Sequence, residues 1–416
     1  MELVFITEAR FIKDSDGRIF STDGTFSKEL WARYLRSFSH VYVIARVGRN
    51  AETKMEENFR ADSSQVSFIE VPYYTGLKGC LKNYIEIKKI IKGSILKGRA
   101  YICRIPGILG TIAAGELRKK GLPYGTEAAG DPYEVFAPGA VKSPLRPIFR
   151  IIMTRQMKNI VLNSSAVLYV TRKALQNRYP AKPGTFTVSA SNVMLKEENI
   201  LKTPVTFKRK GEFNIISIGS LEQMYKAPDV TLKAIQLLNQ NQFPCRLTWI
   251  GEGKYKQDMI LLSKELGIED RVLFTGSVPP GEGVRRYLDT SDIFVLASRT
   301  EGLPRAMIEA MGRGLPCIGT NAGGIPELLE EEAIVPKNNP EALFERIKRL
   351  IENPEMAEGQ ANRNLSEART YISELLDIKR RSFYETLKAT VQRGSEPCQN
   401  RRSALLSQPP LPRMHF

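Results

Sequence analysis

Histidine is nearly absent from this chain of 416 residues, with only His40 and His415 present. That leaves little material for a Ser-His-Asp relay or a His-based metal cluster. Cysteine is scarce and scattered: Cys80, Cys103, Cys245, Cys317 and Cys398 show no CxxC spacing, and an odd count reads as free thiols rather than a disulfide frame. No apolar run reaches the roughly 20 residues that a membrane-spanning helix needs. The opening Met1-Glu-Leu-Val-Phe-Ile-Thr-Glu-Ala-Arg reads as one short strand without a signal-peptide pattern, so a cytoplasmic protein is expected. Zinc-finger, helix-turn-helix and RNP signatures are missing too. A basic nucleic-acid-binding module, which the charge alone invites, therefore has no motif behind it, and no nucleic-acid partner is expected.

What is present is an ordinary soluble composition, 42% hydrophobic and 25% charged, in a length that suits two domains. The net charge of +16 is unevenly placed. Residues 1–200 carry 31 Lys and Arg against 18 Asp and Glu, whereas 201–416 carry 30 against 27. A basic first half attracts an anionic substrate or an anionic membrane surface, and an ordinary solvated face without a partner stays open beside that reading.

Apolar strand candidates alternate with helical patterns. The first half offers Leu3 to Thr7, Val41 to Val47, Val66 to Val71, Tyr101 to Ile105, Ala166 to Val170 and Thr187 to Ser189. The second offers Phe213 to Gly219, Arg246 to Ile250, Val272 to Thr275, Ile293 to Ala297, Pro316 to Thr320 and Ala333 to Val335. This βαβ rhythm predicts an α/β protein of two Rossmann-like, doubly wound domains, 1–195 and 206–370. The polar stretch Leu195 to Glu212, with Lys208-Arg-Lys-Gly, reads as the linker. Helical pattern resumes from Glu341 to about Leu387, broken near Asn353-Pro354, and residues 393–416 read as a disordered tail.

The most informative stretch is Ser298-Arg-Thr-Glu301-Gly-Leu-Pro-Arg-Ala-Met-Ile-Glu309, flanked by buried-strand runs on both sides. In a strand, loop, helix, strand unit the strand's carboxyl end and the helix's free amides face one crevice. That crevice suits a phosphate, and a loop carboxylate beside it suits hydroxyls. These residues, continued by Thr320-Asn-Ala-Gly323-Gly324-Ile-Pro-Glu327, closely resemble the E-x7-E motif of glycosyltransferase family 4. The resemblance implies a GT-B fold, with two domains facing an interdomain cleft and a last helix, 371–390, crossing back to the N-terminal domain. It also implies transfer of a sugar from a nucleotide donor, with Glu301 on the donor hexose and Glu309 on the nucleotide ribose. Gly302, Leu303, Gly323 and Gly324 fall on the donor side of the same motif.

Other segments add to this set. Gly219 ends a strand and Lys226 precedes a helix start near Pro228, so an ammonium stands beside free amides, as a diphosphate requires. The family's matching stretch reads Gly-Arg then Lys-Gly. Here Ser220 replaces the Arg and Ala227 the second Gly, leaving Lys226 as the evident cation and Arg299 or Arg305 as substitutes. Gly251 and Gly276 each end a strand, where a glycine lets a ligand approach the backbone; the family places its base near Gly276 and Val278.

On the N-terminal side the segment Pro123 to Pro132 closes a further expected strand. Its Asp131 matches the Asp of a family His-Asp pair whose His is replaced by Gly130. It is expected to orient an acceptor hydroxyl or the donor sugar, with an Asx turn before Pro132 as the plain alternative. The triplet Asp14-Ser-Asp16 suits an acceptor-side loop better than a metal site, and no metal is expected. Leu77 to Lys92 has apolar residues at near-helical spacing and a Lys-rich opposite face; it reads as a helix on its own sheet or as one lying on an anionic leaflet.

The combined reading is a retaining, metal-independent glycosyltransferase with Asp131, Lys226 and Glu301 as catalytic candidates. It takes a hexose from a UDP- or GDP-linked donor, needs no further cofactor, and transfers by front-face attack assisted by the leaving diphosphate. A polyprenyl diphosphate-linked acceptor in bacterial surface-polysaccharide synthesis is expected, with peripheral contact at the inner membrane face. A small soluble acceptor and a GT-B nucleotide-sugar epimerase stay open as alternatives.

Overall fold

The computed structural model describes residues 1–395 other than 23, 50–55, 139–143, 205 and 208–210. Lys208 to Lys210 of the expected linker and residues 396–416 of the expected tail lie outside the described residues. Eight strands build the first sheet: β1 (Leu3–Lys13), β2 (Ile19–Ser21), β3 (Val41–Arg49), β4 (Val66–Pro72), β5 (Ala100–Ile105), β6 (Gly125–Ala128), β7 (Ala166–Tyr169) and β8 (Phe186–Ser189). Six build the second: β9 (Phe213–Ile218), β10 (Cys245–Ile250), β11 (Val272–Gly276), β12 (Ile293–Leu296), β13 (Cys317–Thr320) and β14 (Ile334–Val335). Their orders are β4-β3-β1-β5-β6-β7-β8, with β2 on β1, and β11-β10-β9-β12-β13-β14. Every pairing is parallel except the β1–β2 hairpin. Parallel strands buried on both faces read as continuous apolar runs, which is why Ile293-Phe-Val-Leu and Val41-Tyr-Val-Ile form strands here.

The intervening helices are α1 (Lys28–Leu35), α2 (Gly76–Ser94), α3 (Ile108–Lys119), α4 (Pro132–Val135), α5 (Arg146–Leu162), α6 (Ala174–Arg178), α7 (Pro228–Gln240), α8 (Lys256–Glu265), α9 (Glu282–Asp289), α10 (Arg305–Gly312), α11 (Pro340–Glu352), α12 (Pro354–Arg369) and α13 (Ser373–Ser395). Asn339 caps α11 by accepting from Ala342 N–H, with Pro340 in the first turn where a missing donor costs nothing. α13 leaves the second domain and packs on the first sheet. A Cβ on Gly125 of β6 would stand 2.8 Å from Phe383 Cζ, and Tyr384 meets Tyr34 and Phe38. The helix runs to Ser395, so residues 393–395 are helical rather than part of a tail.

Two features depart from the sequence reading. β1 continues well past Thr7, with a register shift between Ile6 and Arg10 against β3, and such a bulge re-aims the residues inside it. Asp14 then closes the β1–β2 turn, its Oδ1 accepting from Asp16 N–H and Arg18 N–H and its Oδ2 from Arg18 Nε. The Asp-Ser-Asp triplet is thus a hairpin turn. The core is continuous between the domains, because Leu303, Met307 and Met311 of the second domain join the apolar cluster of the first sheet.

Candidate active site

In each sheet the strand order reverses beside the first strand, between β1 and β5 and between β9 and β12. Crevices open at the carboxyl ends of such switch points. On the second domain the crevice is lined by the loops after β9, β10, β12 and β13.

The loop after β9 passes Gly219 and Ser220 and enters a 3₁₀ turn, Met224–Lys226, before α7. Lys226 folds back over Gly219, where a Cβ would lie 2.7 Å from Lys226 Cγ. Its Nζ reaches Glu301 Oε1 at 2.5 Å, and Ser298 Oγ donates to the same oxygen at 2.6 Å. Both charged side chains are nearly buried, 14% and 8% exposed. Burial pulls the Lys226 ammonium down, but Glu301 and Tyr225 outweigh it, and its pKa stands above the ordinary lysine value. The result is a fully charged lysine locked to the first glutamate of the motif.

What holds this register is Arg299, only 9% exposed. Its guanidinium forks onto Asp229 (3.0 and 2.7 Å), donates to Met224 O at 2.6 Å and to Asn338 Oδ1 at 2.7 Å, while Arg299 N–H donates to Tyr225 O. Bidentate pairs of this kind fix geometry as well as adding energy. Arg299 bolts the β12–α10 loop to the Lys226 turn and therefore does not replace the cation missing at Ser220, whose hydroxyl meets Glu252 O and Glu222 N–H. Arg305 is exposed and makes no hydrogen bond or ion pair among the described residues, yet its charge acts on both Lys226 and Glu309. It is the available second cation. Sequence reasoning missed Asp229 and Asn338, since neither carries a motif of its own.

Glu309 lies inside α10, half-buried, and its carboxylate has no hydrogen bond among the described residues. Burial raises its pKa, and Arg305 and Arg285 oppose that. The two glutamates of the motif thus differ: one is paired and the other bare.

The glycines bring the loops together. A Cβ on Gly251, at φ +150°, would lie 2.0 Å from Gly219 O, and one on Gly323, at φ +51°, 2.0 Å from Glu301 O. The space expected for a ligand at Gly251 is filled by the neighbouring loop, so this glycine permits loop-on-loop packing. Gly251 N–H donates to Gly276 O and Gly324 N–H to Gly302 O. Glu301, Gly302, Leu303, Gly323 and Gly324 consequently form one wall, with Val278 half-buried beyond β11. Ala227, standing where the resemblance has glycine, adopts φ +51° all the same. The amino ends of α7 and α10 receive no side-chain cap, so their first amides are open to an anion.

The facing lip is different. Asp131 is 4% exposed; it accepts from Tyr133 N–H (3.0 Å) and Tyr179 Oη–H (2.5 Å) and pairs with Arg178. It caps α4, contrary to the expectation of a carboxylate turned to a hydroxyl. Glu8, in the β1 bulge, went unnoticed in the sequence. It accepts from Leu109 N–H at 2.6 Å, capping α3, and from Tyr74 Oη–H at 2.9 Å, with Arg46 alongside. The two lips meet where a Cβ on Gly302 would lie 2.6 Å from Ala129 O. Glu327 accepts from Lys173 N–H at 2.9 Å and Ala174 N–H at 2.5 Å, and Lys337 reaches Glu134 at 2.5 Å.

Residues 201–366 match the family described as glycosyl transferases group 1. Protein CapJ of Staphylococcus aureus is 28% identical over 381 residues, 91% of this chain and 94% of that protein. The putative colanic acid biosynthesis glycosyltransferase WcaL of Escherichia coli is 33% identical over 156 residues, 35% of this chain, and the match spans 37% of WcaL's own length. Among solved structures, HepE of Anabaena in complex with UDP superposes with a TM-score of 0.60 at 15% identity, over 95% of this chain and 99% of that one. The second domain is a group 1 glycosyltransferase domain, and the whole chain has the GT-B fold.

Proposed function

We propose that this glycosyltransferase moves a hexose from a UDP- or GDP-linked donor to a growing glycan, with retention of anomeric configuration. The observation that carries the reading is the contrast between paired Glu301 and bare Glu309 at the open amino ends of α7 and α10. A donor diphosphate at those amides takes the Lys226 ammonium from Glu301, and Arg305 adds a second cation. Glu301 is thereby released to the hexose hydroxyls, while Glu309 accepts from the ribose hydroxyls. Cations and amides aimed at the leaving diphosphate stabilise the charge that develops there, so a donor held this way needs no metal. The diphosphate oxygen takes the acceptor proton as the bond to the sugar breaks on the same face. No carboxylate is placed as a nucleophile in this scheme.

For the acceptor we infer a polyprenyl diphosphate-linked glycan of a bacterial surface polysaccharide. The basic first domain and the similarity to WcaL, a putative colanic acid biosynthesis glycosyltransferase, support this. The UDP held by HepE supports UDP in the donor. Among the described residues no helix is long and apolar enough to cross a membrane, so such an acceptor would be reached from the bilayer surface. Calorimetry with UDP, GDP and ADP tests the site. One of them binds wild type, and Glu309→Ala weakens that nucleotide about tenfold by removing the acceptor for two hydroxyls. Wild-type affinity in Glu309→Ala would refute the ribose assignment.

A further inference from the structure

The seam between α1 and α13 holds a cluster of charges that the transfer reaction does not use. Asp377 of α13 pairs with Arg36 Nη1 at 2.5 Å and stands 3.4 Å from Arg33 Nε and 3.8 Å from Arg380 Nη1. Arg381 lines the same seam, so four guanidinium groups gather about one carboxylate. Glu127 also acts on Arg380, but it is already bonded by Tyr34 and Arg104. The side chains of Arg33 and Arg380 are 7% and 1% exposed. Nη1 of each is buried without a hydrogen-bond partner among the described residues, while Arg380 Nη2 donates to Ser191 O.

Burial and the neighbouring Arg33 pull the Arg380 pKa below the ordinary arginine value, as positive charge that its surroundings do not fully offset requires. The carboxyl end of α1 favours cations beside it, which accounts for Arg33 and Arg36 at that end of the helix. It supplies no counter-charge for two buried guanidinium groups. Arg33, Arg36, Ser37, Asp377, Arg381 and Tyr384 line a small cavity here. Its mouth lies at the exposed side chains of Arg36 and Arg381. A water molecule in that space accepts a hydrogen bond and leaves the charge as it is, whereas an anion offsets it, and unoffset buried charge is costly.

We propose that this seam binds a small inorganic anion of the size of chloride, held by Arg33 within and by Arg36, Arg381 and the Ser37 hydroxyl at the mouth. The anion fastens to the first domain the helix that arrives from the second. The full chain is melted in sodium chloride and in sodium gluconate, whose anion is too large to enter, at matched ionic strengths. Chloride raises the wild-type melting temperature over gluconate along a saturating curve, as binding to the folded state does, and broadens the chloride NMR line. Arg33→Met loses the saturating gain and narrows the line, and salt effects common to both proteins cancel in the comparison. Arg381→Gln, changed at an exposed position, keeps the fold and raises the half-saturating chloride concentration about threefold. Saturating UDP or GDP leaves the wild-type gain in place, which separates the seam from the cations of the donor crevice. Identical melting in the two salts overturns the proposal, as does a chloride gain that both variants retain in full or that nucleotide abolishes. If Arg33→Met does not fold, the shift in Arg381→Gln decides alone.

Discussion

The two lips of the cleft are built from the same fold element, a loop between a parallel strand's carboxyl end and a helix, yet they use their charged groups oppositely. On the first domain the carboxylates are committed to the scaffold: Asp131 holds α4, Glu8 holds α3, and Glu127 is taken by Tyr34 and Arg104. On the second domain Lys226 and Glu301 hold each other, with Ser298 on the carboxylate and the Tyr225 ring beside the ammonium, and Glu309 and Arg305 make no hydrogen bond or ion pair with their side chains among the described residues. A committed group fixes shape. An exchangeable group recognises a ligand, because its partner can be replaced by the ligand without leaving a buried charge alone. The lesson is that exchangeable charge belongs to the second domain's lip, while the first domain's lip contributes contour.

The largest expected effect tests the exchangeable pair. Lys226→Ala lowers turnover about 100-fold, as loss of a positioned charge at developing negative charge does. Its melting temperature falls too, because the nearly buried Glu301 carboxylate is left with Ser298 as its hydrogen-bond partner and no countercharge, so turnover is measured well below the variant's own melting temperature. Turnover near wild type with a saturating donor would move the diphosphate contact to Arg305 and break the proposed exchange.

An intermediate effect tests the committed lip. Asp131→Asn removes the charged partner of Arg178, keeps one acceptor for Tyr133 N–H, and costs about 1–2 kcal/mol of stability. Thermal denaturation reports this as a fall of a few degrees, while donor KM remains at the wild-type value. The opposite pattern, lost turnover at an unchanged melting temperature, would mean that Asp131 touches substrate after all.

The contrast between the lips also explains what the sequence disclosed. Twelve strand candidates stood in the chain as apolar runs, and each is a strand in the structure. β6 shows only as the strand that the Asp131 segment closes, and β2, three residues long, does not show at all. Glu301 and Glu309 were visible because one short loop-to-helix junction fixes their spacing, Glu301 on the loop and Glu309 inside α10. Glu8 and Asp229 were invisible, since each acts through a partner far away in sequence, Tyr74 and Arg299 respectively. Asp131 carried two signals, the resemblance and an Asx turn before Pro132, and the contact to Tyr133 N–H corresponds to the second. The outer face of α2 was misjudged because near-helical spacing hides two stripes: Ile87 and Ile91 are inside, Leu81 and Ile85 outside.

The smallest effect concerns Glu309, and it sets stability against binding. Its folded pKa is raised by burial, so the folded chain holds this proton to a higher pH than the unfolded chain does. The group's stabilising contribution is therefore complete below the ordinary carboxylate value of about 4.3 and lost as pH rises through the raised one. Glu309→Gln has no charge to bury. Its melting temperature relative to wild type should climb between the ordinary and the raised value and settle about 1–2 °C above wild type at neutral pH. Adding the nucleotide that wild type binds should reverse the order, because the amide accepts from the ribose hydroxyls less well than the carboxylate. Parallel melting curves from pH 4 to 7, with and without nucleotide, decide it. A constant offset across that range would show that the Glu309 carboxylate is stabilised in the empty protein, and the contrast between bare and paired glutamates would fall.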